Sequence, residues 1–100
     1  MSVTSSEADN GALVNIVIKG RFDFNDHGDF REAYRQHSSN AHYAVDMNDA
    51  DYMDSSALGM LLMLREYAGG DSAKIEIRGC KPEIKKILAI ANFQKLFEIK

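Results

Sequence analysis

A carboxylate and two hydroxyls stand side by side at Asp54-Ser55-Ser56, directly before an almost unbroken apolar run from Ala57 to Leu64. Asp and Ser are favoured at helix starts because their side-chain oxygens accept from the free N–H groups of a first turn. Ala, Leu and Met propagate a helix, and the pair Gly69-Gly70 supplies a stop. The spacing predicts a helix from Ser55 or Ser56 to Ala68, with both hydroxyls at its positive end. Such an end stabilises negative charge, including a phosphate. At an arbitrary helix start the same residues serve only as caps.

Other chemistries find less support. A catalytic serine needs a base in reach, and a nucleophile elbow shows Gly-x-Ser-x-Gly, which is absent. The histidines are His27, His37 and His42, and no motif places any of them beside a serine. His37 falls on an apolar helical face and reads as a packing residue. Asp46, Asp49, Asp51 and Asp54 cluster in sequence, but they lack the glycine and closing Glu of a calcium loop, so they read as a solvated acidic loop. No glycine-rich phosphate loop is present to hold a nucleotide. Cys80, with Lys81 beside it, reads as an inert half-buried thiol; a lone cysteine makes no internal disulfide and suits a reducing compartment. The expectation is a chain with no catalytic residues, no metal and no cofactor, without hydrolase activity of its own.

Composition sets the frame. One hundred residues, 1–100, make one domain, and 45% hydrophobic with 27% charged residues is ordinary for a soluble globular chain. A net charge of −3 argues against a nucleic-acid surface, which normally shows a basic face. No apolar run is long enough for direct membrane insertion. The segment Met1 to Glu7 lacks the basic and apolar regions of a secretory signal, so a cytoplasmic location is expected.

The elements that must position the Asp-Ser-Ser triplet follow from periodicity. Val3 to Ala8 is a weak strand candidate, and Asn10-Gly11 carries the signal of a type I′ hairpin. Ala12 to Lys19 alternates as a strand with Val14, Ile16 and Ile18 on one face, ended by Gly20. Arg21 to Asp26 reads as a loop into a helix capped by Asn25 or Asp26, with Phe30, Ala33, Tyr34 and His37 on its packed face. His42 to Met47 is a strand, and Asn48 to Met53 a loop. Lys74 to Arg78 alternates as a further strand. Pro82 opens a helix with Ile84, Ile87, Leu88 and Ala91 as its stripe, and Asn92 ends it. Phe93 to Phe97 is a short helical turn and Glu98 to Lys100 a terminal strand. This order predicts an α/β domain with a mixed sheet of four to five strands and crossover helices. Functional groups then gather at the carboxyl ends of the strands, so Asp23 and the two serines are expected to share one end of the domain.

The motif Asp54-Ser55-Ser56-Ala57-Leu58-Gly59 resembles the signature of the STAS-domain anti-sigma factor antagonists, Asp-Ser-Ser/Thr-Gly-Leu-Gly at the start of a helix. Gly20-Arg21-Phe22-Asp23, Val45-Asp46-Met47, Lys81-Pro82-Glu83-Ile84 and the segment Phe93 to Ile99 extend the resemblance over nearly the whole chain. It departs from the pattern at Ala57, where the family usually has glycine.

The resemblance implies a STAS-like fold and a partner-switching role in transcription regulation. The acceptor serine would be Ser55, with Ser56 as second choice. It would be phosphorylated by a partner that is both serine kinase and anti-sigma factor, and dephosphorylated by a PP2C-type phosphatase. The unmodified form would bind the kinase through Asp23, Asp54, Ser56 and Leu58. On the sequence, replacing Asp23 is expected to weaken that binding with thermal stability nearly unchanged. STAS domains also serve as accessory or structural subunits of transporters and signalling assemblies, which is the alternative role.

Overall fold

Alternating burial builds the sheet of this protein, whose computed structural model describes residues 2–100. The first strand, β1 (Val3–Ala8), pairs antiparallel with β2 (Leu13–Phe22). Val14, Ile16 and Ile18 of β2 are fully buried, while Leu13, Asn15 and Val17 are half-buried and Lys19 exposed, as the alternation requires. Then come α1 (His27–Arg35), β3 (His42–Met53), α2 (Ser55–Tyr67), β4 (Ile75–Arg78), α3 (Pro82–Ile90) and β5 (Glu98–Ile99). The strands lie in the order β1-β2-β3-β4-β5, and all pairs after the first are parallel. This is the expected mixed sheet, with five strands.

One face of the sheet meets the apolar residues of all three helices: Phe30 and Tyr34 from α1, Leu61 and Leu64 from α2, Ile84 and Leu88 from α3. The other face carries Asn15, Asp46, Glu76 and Arg78, where Arg78 pairs with Glu76 at 3.2 Å and reaches Asn15 at 3.4 Å. Tyr43 anchors the buried side: its hydroxyl donates to the carbonyls of Tyr34 and Ser38, and burial pushes its pKa up to about 12.

Four boundaries differ from the sequence reading. The first hairpin is not a two-residue turn. Ala8 pairs with Leu13, and the connection passes through left-handed Asp9, Asn10 and Gly11 (φ 53°, 58° and 87°). Gly20 does not end β2; with φ of 73° it sits between two register shifts and lets the strand continue to Phe22. The segment Asn48 to Met53 is not a loop but the distal half of β3, paired to that continuation: Lys19 with Asp49, Arg21 with Tyr52, Phe22 with Met53. The bulges space its buried residues, Met47, Ala50 and Met53, three apart, so the two-residue alternation that announces a strand is lost. Finally, α1 begins at His27 with Asp26, one of the two expected residues, at its N-cap position, but without a side-chain capping bond. Asp23 caps instead the turn Phe24–Asp26 that leads into it, and His37 lies beyond the helix end at Arg35.

Helix α2 ends as its sequence predicts, with Gly69 and Gly70 in positive φ (118° and 60°).

Candidate functional site

The register of β2 against β3 decides what stands beside the Asp-Ser-Ser triplet. Phe22 is the partner of Met53, so the next residue on each strand, Asp23 and Asp54, leaves the sheet at the same edge. Asp23 and the two serines therefore share one end of the sheet, as the sequence order implied. Asp54 is extended (φ −112°, ψ −177°) and is the N-cap of α2. Its Oδ1 accepts from the backbone N–H of Ser56 at 3.0 Å and of Ala57 at 3.3 Å, and from the Ser56 hydroxyl at 2.5 Å.

The two hydroxyls are thereby separated. Ser56 is half-buried and committed to Asp54. Ser55 is exposed, and among the described residues its hydroxyl has no hydrogen-bond partner. Adjacent helical residues project about 100° apart, so the two cannot face the same way. Ala57, where the family pattern has glycine, is fully buried in the first turn.

A rim of exposed apolar residues lies near this point; those on α2 were expected among the Leu58 to Leu64 stretch, whereas Phe24 and Tyr52 were not marked by the sequence. Phe24 is 67% exposed and stacks on His27 at 5.2 Å. Tyr52, Leu62 and Met63 are also exposed. Leu58, singled out from sequence, is half-buried against the core; Leu62 and Met63 are the more open apolar residues of α2. The only available signal for Phe24 was an aromatic residue between two polar ones in a cap-forming stretch.

The Asp54 carboxyl is held below the usual carboxylate range, first by the Ser56 hydroxyl and further by the N–H groups of Ala57 and Ser56 and the charge of Arg21, against some desolvation. A depressed folded pKa contributes stability that is full above the unfolded value, about 3.9, and is lost as pH falls through the folded value. Asn keeps the capping oxygen and loses the charge. Asp54→Asn is therefore expected to melt below the native chain at pH 7, with the gap closing as the pH is lowered beyond 4; thermal melts across pH 2–7 check this, and a gap that stays constant would contradict it.

Asp23, half-buried at this edge, has a structural role. Its Oδ1 accepts from the Asn25 N–H at 3.0 Å, and the Asp26 carboxylate accepts from its N–H at 3.4 Å. Removing such a cap costs about 1 kcal/mol. The stability-neutral Asp23→Ala expected from sequence is thus corrected.

Elsewhere, Asp46 accepts from the N–H and side chain of Asn48, and Asp51 lies 3.7 Å from the Lys81 ammonium. Among the described residues no group of three or more His, Cys, Asp or Glu could hold a metal ion. His37 is indeed a satisfied packing residue. Its ring lies 3.1 Å from the Ser5 hydroxyl and 2.5 Å from a Glu7 carboxylate oxygen, tying β1 to the exit of α1. No helix among the described residues is long and apolar enough to cross a membrane.

The comparisons with known proteins now bear on this geometry. The family model described as "Mlab, STAS domain" matches residues 5–98. A STAS-domain containing protein of Pseudomonas aeruginosa (strain UCBPP-PA14) is 50% identical over 100 residues, spanning 99% of each chain. The chain belongs to the STAS domain family. Solved structures agree on the STAS fold. A candidate anti-sigma factor antagonist from Thermotoga maritima superimposes with a TM-score of 0.81 at 12% identity, covering 97% of this chain and 84% of that one. The anti-sigma factor antagonist SpoIIAA of Bacillus, in its unphosphorylated form, gives 0.68 at 16% identity over 88% of this chain and 82% of its own. At such identities the likeness establishes the architecture of this STAS domain and nothing finer.

Proposed function

We propose that this STAS domain is an anti-sigma factor antagonist switched by phosphorylation of Ser55. The carrying observation is the division of labour at the start of α2: Asp54 caps the helix and engages Ser56, which leaves the Ser55 hydroxyl exposed and, among the described residues, unbonded. A kinase that reaches this hydroxyl breaks no capping bond. The unmodified form binds a serine kinase/anti-sigma factor through the face formed by Asp23, Phe24, Tyr52, Asp54, Ser55 and the exposed side of α2. A PP2C-type phosphatase restores that form, and the cycle regulates transcription in the cytoplasm without any catalysis by this chain.

The physics favours a switch of association over one of folding. A phosphate brings about −1.5 to −2 charges at neutral pH. In the free domain the helix N-terminus favours it by about 0.3–1 kcal/mol. Within a packed interface the same charge must be desolvated, at a cost on the order of several kcal/mol.

Affinity capture with the unmodified chain tests the reading. A serine kinase should be recovered, and a chain carrying phosphoserine at position 55 should not recover it. Recovery of a membrane transporter with both forms would replace the switch by the accessory-subunit role. Phe24→Ala gives a clean measure of the rim, because the side chain is mostly exposed. It is expected to weaken capture about tenfold or more with an unchanged melting temperature. Equal affinity would remove Phe24 from the interface.

A further inference from the structure

Arg21 is the next-to-last residue of β2 and the register partner of Tyr52 on β3. Its guanidinium carbon lies 3.9 Å above the Tyr52 ring centroid, and its Nε lies 3.4 Å from Asp23 Oδ2. The side chain is 65% exposed, against 15% for Asp23. A cation is thus poised at the edge from which both Asp23 and Asp54 leave the sheet, held by one ring and one long ion pair. We propose that Arg21 is the internal counter-ion of phosphorylated Ser55, leaving Asp23 for the phosphate when the modification is made. This deepens the reading of Ser55 as the acceptor and rests on it.

Three features support the exchange. A guanidinium offers a planar fork that matches phosphate oxygens in pairs, and a phosphate near −2 outbids a single carboxylate. Asp23 can release Arg21 without unfolding its turn, because the capping bond to Asn25 uses its other oxygen, Oδ1. The Tyr52 ring lets the guanidinium pivot over a flat surface instead of breaking a directional contact. Independently, Arg21 already contributes to holding the Asp54 carboxyl below its usual range, behind the larger effect of the Ser56 hydroxyl, so its charge acts on the residue next to Ser55.

The consequence is a switch with two moving parts. Phosphorylation adds charge at Ser55 and also draws Arg21 away from Asp23, which changes the rim at a second point. A partner that recognises the Arg21–Asp23 pair over Tyr52 therefore loses two features from one modification.

The test uses the full chain with phosphoserine incorporated at position 55 during translation, so it requires no kinase. Phosphorus-31 NMR titration at low salt is compared for the native sequence and Arg21→Gln, a substitution at an exposed side chain whose folding is verified by melting. With Arg21 present the second ionisation of the phosphate should be favoured by about threefold or more, and high salt should erase the difference. The Tyr52 ring resonances should move on phosphorylation of the native sequence and stay in place in the Gln variant. Superimposable titrations of the two chains at low salt would overturn the proposal. Absence of phosphorylated Ser55 from cells would instead overturn the switch reading, a result this titration cannot produce.

Discussion

Ser55→Ala is expected to abolish phosphorylation and to leave the chain permanently in its partner-binding form, while Ser55→Asp loses the partner. The expectation follows from which oxygen is engaged. Asp54 Oδ1 holds the Ser56 hydroxyl at 2.5 Å, whereas Ser55 is exposed and unbonded among the described residues. Removing the Ser55 hydroxyl therefore breaks no contact, and the melting temperature should stay near that of the native chain. Adding charge there leaves the fold intact and penalises only the complex. Several kcal/mol of desolvation, at 1.4 kcal/mol per tenfold, corresponds to a loss of roughly a thousandfold in affinity. Ser56→Ala behaves oppositely: it remains phosphorylatable but loses the bond to Asp54, so its effect falls on stability. Peptide mapping of the phosphorylated chain by mass spectrometry checks the assignment. Phosphate on Ser56 alone would overturn it and leave a switch at the neighbouring residue.

Much of this arrangement was legible in the sequence because local chemistry and tertiary packing agree there. The alternation of Val14, Ile16 and Ile18, the Pro82 helix start, the glycine stop after Tyr67 and left-handed Asn92 are each dictated by short-range rules, and the structure follows them. What was not legible depends on pairing between distant segments. Asn48 to Met53 looks like an acidic loop because Asn48, Asp49 and Asp51 face solvent. It becomes a strand only because β2 runs past Gly20 and offers it a partner. That extension is what brings Arg21 onto Tyr52 and Asp23 beside Asp54, so the features that complete the candidate site were hidden in the one stretch where periodicity fails. The cap was a similar case. Asp54 and Ser55 are both good N-cap residues, and only the backbone geometry at Asp54 separates them.

Neighbouring residues of α2 should divide stability from recognition in the same way. Leu64 is fully buried against the sheet, while Met63 is 47% exposed beside His27 and Arg31 of α1. Leu64→Ala removes buried methyl groups and leaves a cavity, which costs about 2–5 kcal/mol. A domain of this size holds roughly 5–15 kcal/mol in total, and each kcal/mol moves its melting temperature by about 4–8 °C. The variant should therefore melt about 8–40 °C lower and lose partner binding only to the extent that it is unfolded. Met63→Ala, by contrast, should shift stability far less, by about 0.5 kcal/mol, since nearly half of the residue is already in water. If the exposed side of α2 meets the kinase, Met63→Ala weakens capture in a fully folded chain. Thermal melts and affinity measurements on the two variants, made below both melting temperatures, separate the effects. Equal destabilisation by both would contradict the burial of this helix, and native affinity in folded Met63→Ala would confine the partner face to the residues around Ser55.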